Sequence, residues 1–97
     1  MSAIGLAVLA LAPLAAWAQD QQARTWAAAC AACHGPTGRS EGGMPSLAGH
    51  SARDLAEDMK AFREGRRPGT VMPQLMKGYS DQEIQQIAEV WAKGGVR

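Results

Sequence analysis

The run Cys30-Ala31-Ala32-Cys33-His34 constrains this chain more than any other stretch. Residues three apart in a helix lie one turn apart on the same face, so Cys30 and Cys33 present two thiols to one neighbouring group. A C-x-x-C-H run is typical of covalent haem attachment, in which each thiol adds to a vinyl group and forms a thioether. His34 then lies under the ring, where a neutral imidazole nitrogen can ligate the iron. We therefore predict one covalent haem c bound by Cys30, Cys33 and His34.

Two other uses of closely spaced cysteines are a zinc site and a redox disulfide. A structural zinc site needs four ligands, and after Cys30, Cys33 and His34 only His50 remains, with no further cysteine. A thioredoxin-like C-x-x-C belongs to a βαβ setting, and the chain has no strand-like alternating run. Both alternatives therefore lack a supporting feature.

The first eighteen residues have the pattern of a secretory signal peptide. Residues 4–14 are apolar, and Ala16-Trp17-Ala18 is an A-x-A cleavage pattern ahead of Gln19. We expect cleavage after Ala18, which leaves residues 19–97 as one monohaem domain exported to the periplasm. No Lys or Arg precedes Arg24, so the usual charged start is missing. An uncleaved membrane anchor is the alternative, and contact with a membrane is expected only in that case.

Length and charge limit what the predicted mature domain can do. The chain has ten basic and nine acidic residues, and the net charge of +1 argues against a nucleic-acid partner. A domain this small buries little apolar surface of its own, so a buried cofactor would supply much of its core.

Capping and stop signals predict a first helix around the cysteine motif. Asp20 is a plausible N-cap, and the alanine-rich sequence after it continues to about Cys33. Gly35 and Pro36 would end the helix there. The glycine- and proline-rich residues 35–49 are then expected to form a loop.

Two further helices are predicted from capping boxes followed by apolar positions at helical spacing. Ser51 with Asp54 begins one helix, and Ser80 with Glu83 begins the other. The apolar positions are Leu55, Met59 and Phe62 in the first, and Ile84, Ile87, Ala88 and Trp91 in the second. A basic run that starts on the middle helix and continues just past its end is most often a solvated face, and a docking surface for a redox partner is the alternative. Its members are Lys60, Arg63, Arg66 and Arg67.

A methionine is the expected sixth ligand, because a thioether favours ferrous iron and raises the reduction potential of an electron carrier. Met59 lies on an apolar helix face and is expected in the core. Met44 lies close behind the cysteine motif, in the loop expected on the His34 side. Spacing alone leaves Met72 and Met76 as the two contenders.

Four motifs in this order resemble the class I c-type cytochromes: C-x-x-C-H at 30–34, P-S-L-A-G at 45–49, P-G-T-V-M at 68–72 and S-D-Q-E-I at 80–84. The resemblance covers nearly all of residues 19–97. More narrowly, the chain resembles the small monohaem subunit of flavocytochrome c, the sulfide dehydrogenase, and single domains of the cytochromes c4. Those relatives commonly have an aromatic residue where Asp54 stands.

The resemblance implies an all-α fold with three principal helices and loops around one covalent haem. It also implies that the Pro45 carbonyl accepts a hydrogen bond from His34 Nδ1, that Thr70 approaches a haem propionate, and that Met72 is the axial ligand. Met76 would then be a wall residue of the haem cavity.

The function implied is electron transfer and not catalysis by this chain alone, because two axial ligands keep substrate from the iron. The implied partners are a flavoprotein or another redox protein as donor and acceptor. One alternative is the haem subunit of a sulfide-oxidising flavoprotein complex. A five-coordinate haem that senses a gas or reduces peroxide is a further alternative, which would require that Met72 not bind iron.

Overall fold

The computed structural model describes residues 2–40 and 42–96, and over these ranges the fold is all-α, as predicted. The helices are α1 (Ser2–His34), α2 (Ala52–Arg63), α3 (Met72–Met76) and α4 (Asp81–Ala92). Long loops join α1 to α2 and α2 to α4, and the short α3 lies within the second of them. The three long helices are the three principal helices of the prediction, whereas α3 was not predicted.

Helix α1 begins earlier than the sequence pattern indicated. The prediction that Asp20 is an N-cap is wrong, because the helix starts at Ser2 and continues through Asp20 without a break. Alanine and leucine dominate the preceding residues, and both are strong helix formers. The division of the chain after Ala18 remains a prediction. Within the described ranges, no helix combines the length and apolarity needed for a membrane span.

The predicted caps of α2 and α4 are present at the predicted residues. Ser51 Oγ accepts a hydrogen bond from the Asp54 backbone N–H at 3.1 Å, which caps α2. In α4 the capping box is complete, since Ser80 Oγ accepts from the Glu83 N–H and the Glu83 carboxylate accepts from the Ser80 N–H. These bonds satisfy N–H groups that have no partner within the helix.

The core forms where α4 packs against both α1 and α2. From α1, Ala23 and Ala27 are buried, and their small side chains allow a close approach to α4. The buried face of α4 includes all four predicted positions, Ile84, Ile87, Ala88 and Trp91. Helix α2 contributes Leu55, Ala56 and Met59, and α3 contributes Met76.

The turn after α1 is held against the end of the chain. Val96 donates its backbone N–H to the Pro36 carbonyl at 3.0 Å. Gly95 has φ +95°, and a Cβ at this position would overlap the Pro36 carbonyl oxygen. A Cβ on Gly38, in the turn after α1, would lie 3.3 Å from the Trp91 ring. This packing fixes the segment that immediately follows His34.

Candidate haem site

A large cavity opens beside the C-terminal end of α1. Its volume is about 770 Å³, within the range of small-molecule and cofactor sites. Its walls come from loop residues 44–47, one face of α2 and the connection 67–72, together with Cys30, His34 and Trp91. Most of the side chains lining it are apolar, although His50, Asp58 and Arg67 also take part.

His34 is held at this cavity by the backbone of the following loop. The residue is 8% exposed, and its Nδ1 lies 2.6 Å from the Pro45 carbonyl oxygen. Because a carbonyl oxygen can only accept, Nδ1 is the donor in this contact, which leaves Nε2 with a free lone pair. An imidazole oriented in this way is a good metal ligand.

The two cysteine thiols lie in different surroundings. Cys30 is half-buried and lines the cavity, whereas Cys33 is exposed and is not part of the lining. Burial raises the pKa of the Cys30 thiol above its ordinary value. Both thiols are free, and among the residues with described positions there is no group of three or more His, Cys, Asp and Glu side chains that could hold a metal ion.

The four candidate methionines occupy different places around the cavity. Met76 is 1% exposed in the protein core and does not line the cavity, so the expectation that it is a wall residue is wrong. Met44, Met59 and Met72 do line the cavity. Met44 directly precedes the proline whose carbonyl binds His34, and Met59 is buried in the core by α2. Met72 is half-buried at the start of α3.

Thr70 also lines the cavity, in the irregular stretch just before α3. It is exposed, and its neighbour Val71 is 59% exposed although it too lines the cavity. The stretch from Arg67 to Met72 therefore forms one continuous wall that is open to solvent on its outer side.

Trp91 and the α2 face are parts of the site that the sequence motifs did not indicate. The sequence pattern placed Trp91 on the apolar face of the last helix; it also lines the cavity, and its buried Nε1 has no hydrogen-bond partner among the described residues. On α2, Leu55, Met59 and Phe62 line the cavity as well as facing the core. Their spacing of three and four residues could have indicated this shared wall.

The residues at the cavity fit a covalently attached haem. The porphyrin needs an apolar enclosure, and the lining provides one. A histidine nitrogen with a methionine sulfur is a donor pair typical of cytochromes c. His34 and Met72 both line this cavity, and the half-buried thiol of Cys30 lies in its wall.

A comparison with known protein families shows which family this chain belongs to. Residues 18–89 match the family described as cytochrome C oxidase, cbb3-type, subunit III. The chain belongs to this family of c-type cytochromes. The predicted class I fold and the predicted covalent haem c are thereby confirmed, and both agree with the helical architecture. The matched region includes α2, α3 and the cysteine motif.

Relatives of this cytochrome include proteins named as an electron acceptor, as a dehydrogenase subunit and as a cytochrome c4. The thiosulfate dehydrogenase electron acceptor of Stutzerimonas stutzeri is 41% identical over 68% of this chain and 32% of its own length. The cytochrome subunit of sulfide dehydrogenase from Chlorobaculum tepidum is 42% identical over 62% of this chain and 54% of its own. Cytochrome c4 of Pseudomonas aeruginosa is 38% identical over 90% of this chain and 44% of its own. The chain thus spans 32% to 54% of the length of these relatives.

Proposed function

We propose that this cytochrome is a single-electron carrier whose haem is attached through Cys30 and Cys33 and ligated by His34 and Met72. The haem would supply one reversible electron at its iron. The chain's own residues would hold the cofactor, exclude water from its faces and fill both axial positions. With both positions filled, no substrate reaches the iron, so the chain alone would not be an enzyme.

The observation that supports this proposal most strongly is that His34 and Met72 line the same apolar cavity. The imidazole is oriented by the Pro45 carbonyl, so the nitrogen that remains is available as a ligand. Met72 is carried by a different segment, the start of α3. A six-coordinate haem needs one ligand on each face of the ring, and two ligands carried by separate segments can meet that need.

Exposure of the reduced protein to carbon monoxide tests the carrier role. The gas needs a vacant axial position, so we expect no prompt change in the absorption spectrum of the ferrous protein. The Met72→Ala variant should bind carbon monoxide readily, because the substitution removes the sulfur. Prompt binding by the unmodified protein would overturn the carrier role and favour a gas-binding or peroxidatic haem.

We propose that the donor or acceptor is another redox protein of a dehydrogenase system. Relatives named as a dehydrogenase electron acceptor and as a dehydrogenase cytochrome subunit support this class of partner. The similarity to the sulfide dehydrogenase subunit favours a second candidate, in which this chain is the haem subunit of a flavoprotein complex.

Purification of the tagged protein from its exported fraction distinguishes the two candidates. A haem subunit should elute with a stoichiometric flavin-containing protein, whereas a diffusible carrier should elute alone. The same preparation tests the proposed periplasmic location and cleavage after Ala18, because the mature N-terminus should then be Gln19. A full-length chain found only in the membrane fraction would support the uncleaved anchor.

A further inference from the structure

Arg63 makes contacts that distinguish it from the other basic residues near it. It is the last residue of α2, and its Nη1 donates to the Tyr79 carbonyl oxygen at 3.0 Å. Its Nη2 donates to the Asp81 carboxylate and also lies 3.2 Å from a Glu64 carboxylate oxygen. The side chain is 21% exposed, so these contacts partly withdraw it from solvent.

These contacts hold together the two ends of the connection between α2 and α4. Residues 64–80 leave α2 directly after Arg63, and the Arg63 guanidinium binds Tyr79 and Asp81 where they reach α4. This connection carries Thr70 and Met72. Arg63 therefore joins the two ends of the segment that contains the proposed iron ligand.

The short helix α3, in the middle of the connection, packs against α2 and buries Met76 in the core, but its first turn has no side-chain cap. Helix α3 spans only five residues, and Val71 at its N-cap makes no side-chain hydrogen bond to the helix. Such a short helix is unstable by itself. The position of Met72, the first residue of α3, thus depends on this packing and on how the ends of the connection are held.

The Tyr79 end is also packed against α1. The Tyr79 ring meets Trp26 edge to face, with 6.0 Å between the ring centroids. Trp26 lies one helical turn before Cys30. The Arg63 contact with the Tyr79 carbonyl therefore links the connection to the helix that carries the haem-attachment motif.

The other three residues of the basic run do not bridge the connection. Lys60 Nζ lies 3.8 Å from a carboxylate oxygen of Glu57, which is also on α2. Arg66 Nη2 lies 2.9 Å from a carboxylate oxygen of Glu64, two residues earlier in the chain. Arg67 binds Asp58 at 3.2 Å and stacks on the Phe62 ring. All of these contacts stay at the α2 end. Arg66 is thus a matched control for Arg63, because both pair with Glu64 but only Arg63 reaches Tyr79 and Asp81.

We propose that Arg63 is a positioning residue that keeps Met72 at the haem iron by holding the 64–80 connection closed. This inference rests on the proposed role of Met72 as the axial ligand. The 64–80 connection is joined covalently to α2 and to α4, and contacts that hold its two ends together leave it fewer open conformations. Charge-assisted hydrogen bonds are the stronger kind, and Arg63 donates two such bonds to carboxylates and one to a carbonyl. Without them, Met72 should leave the iron more often.

The test measures how fast Met72 dissociates in the ferric haem protein. At saturating cyanide, the binding rate is limited by release of the methionine. Because Asp81 is largely exposed, we expect a moderate effect, a rise of roughly threefold in Arg63→Gln. Arg66→Gln should keep the wild-type rate, and Arg63→Lys should fall between the two, since lysine retains the charge but not the forked geometry.

The control measurements separate the possible failures. The near-red charge-transfer band of methionine-ligated ferric haem should be present in all three variants before cyanide is added, which shows that they fold with the ligand in place. If Arg63→Gln does not fold, Asp81→Asn removes a single partner and should raise the rate in the same direction. Equal rates in Arg63→Gln and Arg66→Gln would overturn the positioning role of Arg63.

The Met72→Ala variant tests the underlying assignment in the same series. Its cyanide binding should not be limited by methionine release, and its ferric spectrum should lack the near-red charge-transfer band. If Met72→Ala retains both the band and the wild-type rate, the proposed ligand itself is wrong. If Met72→Ala behaves as expected while Arg63→Gln has the same rate as Arg66→Gln, Met72 is still supported as the ligand and only the positioning role of Arg63 is contradicted.

Discussion

The contact between His34 and Pro45 shows how one backbone carbonyl can prepare a metal ligand. The 2.6 Å separation of Nδ1 and the Pro45 oxygen fixes both the ring orientation and the position of its proton. No second side chain is needed for this, because the carbonyl belongs to a loop that is hydrogen-bonded to the turn after α1. Leu47 and Ala48 of that loop donate their backbone N–H groups to the Gly38 carbonyl oxygen. The sequence order of cysteine motif, turn and proline thus places the Pro45 carbonyl where it can orient the His34 ring.

Removal of the two cysteine thiols tests the covalent attachment. We expect Cys30→Ala and Cys33→Ala each to weaken covalent haem retention, and the double variant to abolish it, because the thioethers are the only covalent links. Haem staining after denaturing electrophoresis measures retention. A stained band that persists in the double variant would contradict the assignment of both cysteines.

The residues of the site differed in how far the sequence could predict them. Cys30, Cys33 and His34 form a contiguous motif whose spacing alone indicates its chemistry. The choice between Met72 and Met76 could not be made in this way, because residues four apart share a helix face. Met76 lies about 6 Å further along the helix axis, which is far enough to leave the cavity wall and enter the core. Only the packing of α3 against α2 places Met72 at the cavity and Met76 in the core.

At the scale of elements, the predictable helices were those with capping residues and an apolar face of two or more turns. Helices α2 and α4 have both, and their caps lie at Ser51 and Ser80 as predicted. Helix α3 has only five residues, starts with a proline in its first turn and has no capping side chain, so no periodic pattern could reveal it. The start of α1 was misplaced because a capping residue such as Asp20 also fits inside a helix when good helix formers surround it.

A methyl group added to Gly95 should loosen the packing that holds the turn after α1. The Gly95→Ala Cβ would overlap the Pro36 carbonyl oxygen, and its φ of +95° disfavours any side chain. We expect a loss of more than about 1 kcal/mol in the free energy of unfolding, measured by urea denaturation of the haem protein. Gly42→Ala is the control, since a Cβ there meets nothing within 4 Å. Equal stability of the two variants would contradict the described packing.

The Arg63–Asp81 ion pair between α2 and α4 should make the free energy of unfolding depend on pH. The Arg63 guanidinium hydrogen-bonds the Asp81 carboxylate and holds its pKa below the ordinary value of 3.8. Because the unfolded chain then binds the proton more readily, the pair stabilises the folded state above pH 3.8 and loses this effect as the pH falls through the lowered pKa. Asp81→Asn should therefore be less stable than wild type at neutral pH, and the difference should shrink in acid. Urea unfolding across this pH range measures it, and a difference independent of pH would contradict the prediction.

At the scale of the whole molecule, the cavity is large for the amount of protein around it. A space of about 770 Å³ lies between the helices and the connecting loops, and a haem bound there would contact the mostly apolar side chains that line it. Small domains have little surplus apolar burial with which to offset the entropy of ordering the chain. The haem is thus expected to be the principal part of the core.

We predict that the haem-free protein is largely unfolded. Circular dichroism should show little helix, and heating should produce no cooperative transition, because a ligand that binds only the folded state provides much of its stability. The haem-loaded protein is the control and should unfold cooperatively. A cooperative thermal transition in the haem-free chain would show that the helices fold without the cofactor.

The near-red absorption of the ferric haem protein tests the central claim, His34 and Met72 as the axial ligands, most directly. A methionine-ligated ferric haem has a weak charge-transfer band in this region, which is lost when the sulfur leaves. The unmodified protein and Met76→Ala should show the band, and Met72→Ala should lack it and have a lower reduction potential, because ferrous iron loses its soft ligand. A band that disappears in Met76→Ala and persists in Met72→Ala would contradict the account.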